Sequence, residues 1–287
     1  MEASLTVVVV THNSGVIVGD CLERLSGSSL SIEIIVVDNG SDRENLALLR
    51  AFTEKLVGAE RIENRENVGF SAANNIALRK ISTDFVLLLN PDCLVESDTI
   101  EQLYRYLMEH GDVAMAGCLI RNMDGSEQQG GRRNLPTYKR LLVQYLGLGR
   151  WLPARDTYLL NQAPLPDKPV AVEAISGALM MVRRSAIAEV GLLDERYFLH
   201  WEDLDWCKRF YDAGQKIAFI PQVVVTHIKG TSSERVRWRV ELHKHFGMLR
   251  YFWTYNGGLL MLPVSLLLFT VAWARTLLRA AQLSSRR

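Results

Sequence analysis

A chain of 287 residues, 48% apolar and 23% charged, has material for one large packed domain or a domain with an appendage, and its composition excludes general disorder. The net charge of +1 argues against a nucleic-acid partner, but it is unevenly spread. From Ile228 onward ten Lys/Arg face two Asp/Glu, a local +8 that leaves −7 for residues 1–227, so an acidic body carries a basic tail suited to an anionic surface.

The first 120 residues alternate two signals. Apolar runs at 5–10, 32–37 and 85–89, a short one at 61–63 and another at 113–120 read as strands. Helical spacing at 16–25, 44–56, 71–79 and 99–108 separates them. Continuous apolar strands between helices predict a parallel sheet covered on both faces, a Rossmann-like nucleotide-binding unit. From 122 to 168 Gly and Pro break the pattern, leaving long loops with one short helix at 138–146. Loops of this length are uncommon unless functional, so this stretch is a candidate acceptor-side cover as well as an ordinary surface excursion.

Order returns with strands at 170–175 and 178–182 around Ser176-Gly177, and a short helix at 185–190. A helix at 203–213 is stopped by Gly214, and strands at 216–220 and 222–225 are interrupted by Pro221. A basic, aromatic helix is expected over 234–255. Residues 257–274 then hold eighteen positions without a charge, about 27 Å as a helix at ~1.5 Å per residue, with Trp253, Tyr255 and Trp273 at the ends and Pro263 as an expected kink. Such a segment spans a bilayer or lies in one leaflet; the alternative is a buried core helix, which would usually carry polar punctuation on one face, where the middle here has only Ser265 and Thr270. On this reading the body is complete by Thr226, and removing the chain from Gly257 onward releases the protein from membranes with its fold intact.

The cysteines Cys21, Cys93, Cys118 and Cys207 form no C-x-x-C pair, which argues for buried free thiols in a reducing compartment rather than a zinc site. The run 5–10 is too short and lacks the basic flank of a signal peptide, so the body is expected in the cytoplasm.

Three apolar strands end in polar groups: Thr11-His12-Asn13, Asp38, and Asn90-Pro91-Asp92. Ligands of open α/β sheets bind outside the carboxyl ends of the strands, so these ends predict one pocket. Asp38 can accept from a base N–H or a ribose hydroxyl, or can simply open the turn Asp-Asn-Gly-Ser. Asp92 can point one carboxylate at Mg²⁺, with phosphates completing the shell, and His227, after the run 223–225, can add a nitrogen that suits Mn²⁺ or serve a structural role. Trp201-Glu202-Asp203-Leu204-Asp205 places three acids at a helix start, where the helix dipole favours them. The neighbouring Tyr197, Phe198, Leu199 and Trp201 can also shelter one of them as a general base.

With these residues in view, the chain resembles the family-two nucleotide-sugar glycosyltransferases of the GT-A fold, and among them bacterial rhamnosyltransferases of O-antigen and cell-wall polysaccharide assembly. The resemblance is carried by VVVVTHNS, IIVVDNGS, NRENVGFSAANN, VLLLNPD, ISGALMMVRRSAIAEVGLLDERYFLHWEDLDWCKRF and VVVTHIKGTSS, in order from Leu5 to Ser233. It implies an α/β fold, a GT-A Rossmann-like mixed sheet flanked by helices, with a C-terminal helical membrane-associated segment. It implies that Thr11, Asn13 and Asp38 bind the nucleoside, and that Asn67, Gly69 and Asn74 shape its far side and the diphosphate edge. Asp92 holds the metal, Mn²⁺ or Mg²⁺, on the diphosphate, His227 adds a metal or diphosphate contact, and Asp203 is the catalytic base. Gly177, Trp201 and Glu202 fall on the acceptor side. His12 stands where many relatives have Tyr, and Asn90 where the D-x-D-like motif has its first aspartate, so fewer carboxylates would hold the metal.

The function implied is inverting transfer of L-rhamnose from dTDP-rhamnose to a lipid-linked saccharide at the cytoplasmic face of the inner or plasma membrane. Residues 1–233 form the catalytic domain, with a nucleotide-sugar half over 1–121 and an acceptor half over 170–233. Residues 234–287 form the basic helix and apolar segment. The rival readings are transfer from a UDP-hexose or UDP-N-acetylhexosamine, a silent nucleotide-sugar-binding protein, and a nucleotidyltransferase. The last would carry a basic Gly-rich loop early in the chain, where residues 11–19 have no basic side chain but His12.

Overall fold

A computed structural model describes residues 5–228, 237–257 and 261–284. The main sheet opens as expected. Strands β1 (Leu5–Thr11), β2 (Glu33–Asn39), β3 (Ala59–Asn64) and β4 (Phe85–Leu89) pair in parallel in the order β3-β2-β1-β4. Helices α1 (Ile17–Ser26), α2 (Arg43–Thr53) and α3 (Phe70–Leu78) connect them, within one or two residues of the expected starts. Every residue of β1 and β4 is buried, because alternate side chains enter two different cores. Val8, Val10, Val86 and Leu88 face one core, and Val7, Val9, Leu87 and Leu89 the other.

Beyond β4 the sheet becomes mixed. Strand β10 (Leu179–Arg183) lies between β4 and β6 (Val113–Arg121) and runs antiparallel to both. Strand β11 (Lys216–His227) then pairs in parallel with β6, and β5 (Cys93–Leu94) closes the edge against β11. The two strands expected around Pro221 are one strand with a register shift between Ile220 and Val224. Proline has no N–H for the ladder, and the irregularity absorbs it without ending the strand. The single strand expected over 170–175 is two. Strand β8 (Val170–Ala171) pairs with β11, whereas β9 (Ala174–Ile175) pairs with β7 (Arg132–Arg133) in a separate two-stranded sheet. The loop-rich region before them carries α5 (Tyr138–Tyr145), and α4 (Thr99–Glu109), α6 (Arg184–Val190) and α7 (Glu202–Asp212) complete the body.

The C-terminal helices change the expected picture most. Helix α8 (Arg237–Tyr255) and helix α9 (Leu262–Ser284) pack on each other, and α9 also packs on α5. Met248, Tyr251, Phe252, Leu268 and Ala272 belong to the same core as Val8 and Val86, so the apolar cluster is not closed by Thr226. The Ser265 hydroxyl meets the Tyr138 hydroxyl at 2.9 Å, and the Tyr138 ring stacks on Phe252 at 4.4 Å. One face of α9 is therefore committed to the body, Leu268 being 4% exposed, while Leu267 on the other face is 64% exposed. Pro263 makes no kink, because it occupies the first turn of α9, where a missing N–H costs nothing. No helix among the described residues is long and apolar enough to cross a membrane. The expected helix start at Glu234, Arg235, and the terminal Arg286 and Arg287 lie outside the described residues.

Candidate active site

The ends of β1 and β2 build the first part of a cleft. Asn13 takes a left-handed backbone (φ 51) and is tied into the turn after β2: its N–H donates to Ser41 Oγ at 2.9 Å and its Oδ1 accepts from the Asp42 N–H at 2.8 Å. Thr11 is buried and donates to Ser14 Oγ at 2.8 Å. Asp38 is 1% exposed, its Oδ2 accepts the Ser41 N–H at 3.1 Å, and its Oδ1 has no partner. A buried carboxylate oxygen without a donor is costly, and a base N–H or sugar hydroxyl would relieve it.

Asn39, which the sequence reading passed over, organises the next wall. Its amide donates to Asn67 Oδ1 at 2.9 Å and to the Gly69 carbonyl at 3.2 Å, and its carbonyl accepts from Asn64 and the Val68 N–H, each at 3.1 Å. Asn67 Oδ1 also accepts the Gly69 N–H at 3.0 Å. Gly69 has φ +90, and a Cβ there would lie 2.8 Å from the Phe198 carbonyl oxygen, so only glycine fits. Asn74 is buried and donates to the Phe70 carbonyl of its own helix at 2.9 Å. Asn67, Gly69 and Asn74 thus shape the loop and helix start beside Asp38, with side chains occupied in holding that shape.

At the end of β4, Asp92 meets His227 from the end of β11, with Asp92 Oδ1 and His227 Nε2 2.9 Å apart. Gln128 gives its amide hydrogens to Asn122 Oδ1 and the His227 carbonyl, so its Oε1, 2.7 Å from His227 Nδ1, accepts. This contact orients the ring so that Nε2 faces the Asp92 carboxylate. An imidazole nitrogen and a carboxylate so placed fit a shared cation, with an outer partner orienting the ring. Among the described residues no group of three His, Cys, Asp or Glu gathers to bind a metal, so the remaining positions of a shell fall to a ligand and water.

The turn before β10 joins this end to the acids of α7: Ala178 O accepts the Asn90 N–H at 2.9 Å, and the Gly177 N–H donates to Asp203 Oδ2 at 3.0 Å.

 Asp203 faces a cavity of about 380 Å³, closed on the far side by Glu241, Lys244 and His245 of α8 and Ala272 of α9. The two residues before α7, His200 and Trp201, have left-handed backbones (φ 67 and 75), a strained arrangement found where function over-determines geometry. Gly247 of α8 packs against them, since a Cβ there would lie 2.8 Å from the Trp201 ring.

The neighbouring acids of α7 differ in charge. Burial pushes Asp203 up, but the Arg133 guanidinium, 2.5 Å away, and the Gly177 N–H outweigh it and hold the carboxyl below its ordinary value. Glu202 is buried with Oε2 unpartnered, and burial followed by repulsion from Asp203 raises it to about 8. Asp205 is pushed up by burial despite its bonds to Arg209 and Tyr255, and those bonds make it a brace between α7 and α8. Trp201 lines the cavity, whereas Glu202 does not. Arg133, Tyr158 and the α8 residues escaped the sequence reading, because no local spacing joins them to Asp203. The four cysteines are free and buried, as expected.

Comparison with known proteins agrees with this geometry. Residues 6–191 match the family described as Glycosyl transferase family 2. The chain is 25% identical to the rhamnosyltransferase WbbL of Escherichia coli strain K12, over 82% of this chain and 89% of that one. It is 28% identical to the N-acetylglucosaminyl-diphospho-decaprenol L-rhamnosyltransferase of Mycobacterium tuberculosis, over 82% of this chain and 79% of that one. Its fold is similar to that of the mannosyltransferase PcManGT from Pyrobaculum calidifontis, solved with GDP-Man and Mn²⁺, at a TM-score of 0.61 and 16% identity, over 98% of this chain and 76% of that one. A mixed sheet of the GT-A kind, with a family match over most of the body, leads to one assignment: the chain belongs to glycosyl transferase family 2 and is a glycosyltransferase.

Proposed function

We propose that the protein transfers L-rhamnose from dTDP-rhamnose, with inversion, to a lipid-linked saccharide at the cytoplasmic face of a membrane during polysaccharide assembly. The names of the two curated relatives support the sugar, and that of the mycobacterial one supports a lipid-linked acceptor. The observation that carries the mechanism is the contrast between two adjacent carboxylates. A general base must enter the reaction without its proton. Asp203 is ionised and faces the cavity, whereas Glu202 keeps its proton near neutrality and does not line it. Environments that drive paired acids apart in this way separate their roles.

Thr11, Asn13 and Asp38 bind the nucleoside, Asp38 through its unpartnered Oδ1. Asn67, Gly69 and Asn74 border its far side and the diphosphate. Asp92 and His227 would hold Mn²⁺ or Mg²⁺, which when bound offsets the charge growing on the leaving diphosphate. Gly177 and Trp201 form the acceptor side, with Glu202 next to Trp201 in the chain. Asp203 takes the proton of the acceptor hydroxyl as that oxygen attacks the anomeric carbon.

Residues 1–233 carry catalysis, with the donor half over 1–121 and the acceptor half over 170–233. Residues 234–287 attach the enzyme to the membrane and also close the acceptor cavity. Attachment in the plane of the surface is supported by the exposed Trp238, Phe246 and Trp253 of α8 and Leu266 and Leu267 of α9, beside Arg239 and Arg250. Basic side chains near anionic headgroups add about 1 kcal/mol each.

A donor screen tests the reading. The purified full chain is offered dTDP-rhamnose, UDP-galactose and UDP-N-acetylglucosamine, with and without Mn²⁺ or Mg²⁺. Cation-dependent turnover of dTDP-rhamnose above the others is expected. Preferred turnover of a UDP-sugar would replace the donor.

A further inference from the structure

We propose that Arg133 is a positioning residue that holds Asp203 by Oδ2 and leaves Oδ1 as the atom that receives the acceptor proton. This rests on the assignment of Asp203 as the base.

The geometry divides the carboxylate in two. Oδ2 accepts from Arg133 Nη2 at 2.5 Å and from the Gly177 N–H at 3.0 Å, which occupies both of its lone pairs. Oδ1 accepts only the Leu204 N–H at 2.8 Å among the described residues, so one lone pair is available. Arg133 is itself fixed, since its Nη2 also donates to the Ile175 carbonyl at 2.6 Å. That carbonyl belongs to β9, the strand that pairs with the strand carrying Arg133. The guanidinium is buried with its Nε unpartnered, a desolvation cost that its contact with Asp203 helps to offset.

Chemically, the acceptor O–H bond breaks and its proton moves to Asp203 Oδ1. The freed electron pair forms the bond to the anomeric carbon, and the diphosphate leaves with the pair of the old carbon–oxygen bond. Arg133 keeps the carboxylate ionised and its open oxygen aimed before the reaction. It also weakens Asp203 as a base, so orientation is gained at some loss of proton affinity.

Other charges also act on Asp203. Tyr158 lies beside Arg133, His200 precedes α7, and Glu202, Asp205 and Cys207 share the helix. Glu241, Lys244 and His245 face it from α8 across the cavity. Of these, only Arg133 donates a side-chain hydrogen bond to the carboxylate among the described contacts.

The test is a ¹³C-carboxyl titration of the full chain labelled at aspartate, with Asp203→Asn identifying the resonance. The wild-type midpoint is expected below the usual aspartate range, and Arg133→Gln should raise it by about one unit or more, as loss of an adjacent arginine does. Arg133→Lys, which keeps the charge, should restore most of the shift. An unmoved midpoint in Arg133→Gln overturns the proposal. Should that variant fail to fold, a wild-type midpoint within or above the usual range overturns it equally. Hydrolysis of dTDP-rhamnose supplies the catalytic readout: its acidic limb should move with the midpoint. A uniform fall in rate with an unmoved limb would make Arg133 structural. Wild-type hydrolysis by Asp203→Asn would instead overturn the base assignment, leaving the titration to judge the contact with Arg133.

Discussion

At the scale of single residues, the site turns on two adjacent acids whose surroundings act in opposite directions. Asp203→Asn keeps the shape of the side chain but cannot take the proton, so transfer should fall by about 10²–10⁴-fold, the usual general-base contribution. Nucleotide binding by calorimetry should stay near the wild-type value, and near-normal transfer would remove Asp203 from the chemistry. Glu202→Gln should leave transfer within about tenfold, because the proton acceptor is untouched. It should also change the stability profile. Glu202 is raised in the folded state from an ordinary 4.5 to about 8. Between those values the folded chain holds a proton that the unfolded chain has released, so stability falls as pH rises across the window. Chemical denaturation at pH 5 and pH 8 should show that loss in the wild type and a smaller one in Glu202→Gln. Equal pH dependence in both would mean that Glu202 is not a buried proton carrier.

At the scale of elements, α9 joins the body by one face. Leu268 lies in the core with Tyr251 and Phe252, and Leu→Ala at such positions costs about 2–5 kcal/mol. Leu268→Ala should therefore lower the midpoint of thermal unfolding clearly. Deletion from Gly257 onward should lower it further, since it also strips Ala272 from the wall of the cavity that Asp203 faces. A truncated chain that melts like the full one would show that α9 is dispensable to the fold. The sequence could not reveal this docking. An apolar run free of charge reads the same whether one face meets protein or all faces meet lipid, and the deciding contact, Ser265 with Tyr138, spans 127 residues.

At the scale of the whole molecule, the exposed aromatic and leucine side chains of α8 and α9 lie on the same helical pair as Arg239 and Arg250. Leu267→Glu, on the 64% exposed side chain, should leave the melting midpoint nearly unchanged. It should weaken co-sedimentation with vesicles containing phosphatidylglycerol, and high salt should weaken wild-type binding too. Unchanged vesicle binding by this variant would place the membrane contact elsewhere.

By itself the sequence determined the parallel half of the sheet. Runs such as Val7–Val10 and Val86–Leu89 leave no face for water, so they predict strands covered by helices on both sides, and β1, β2 and β4 take that form. Strand ends were legible for the same reason, because a polar residue after such a run marks where burial stops, as at Asp38 and Asp92. Only the tertiary structure decided that β10 enters between β4 and β6, that α9 returns to the core, and that Arg133 reaches Asp203 across 70 residues. Periodicity records which faces are buried and not what buries them. Partners so far apart are chosen by the packing of the whole chain.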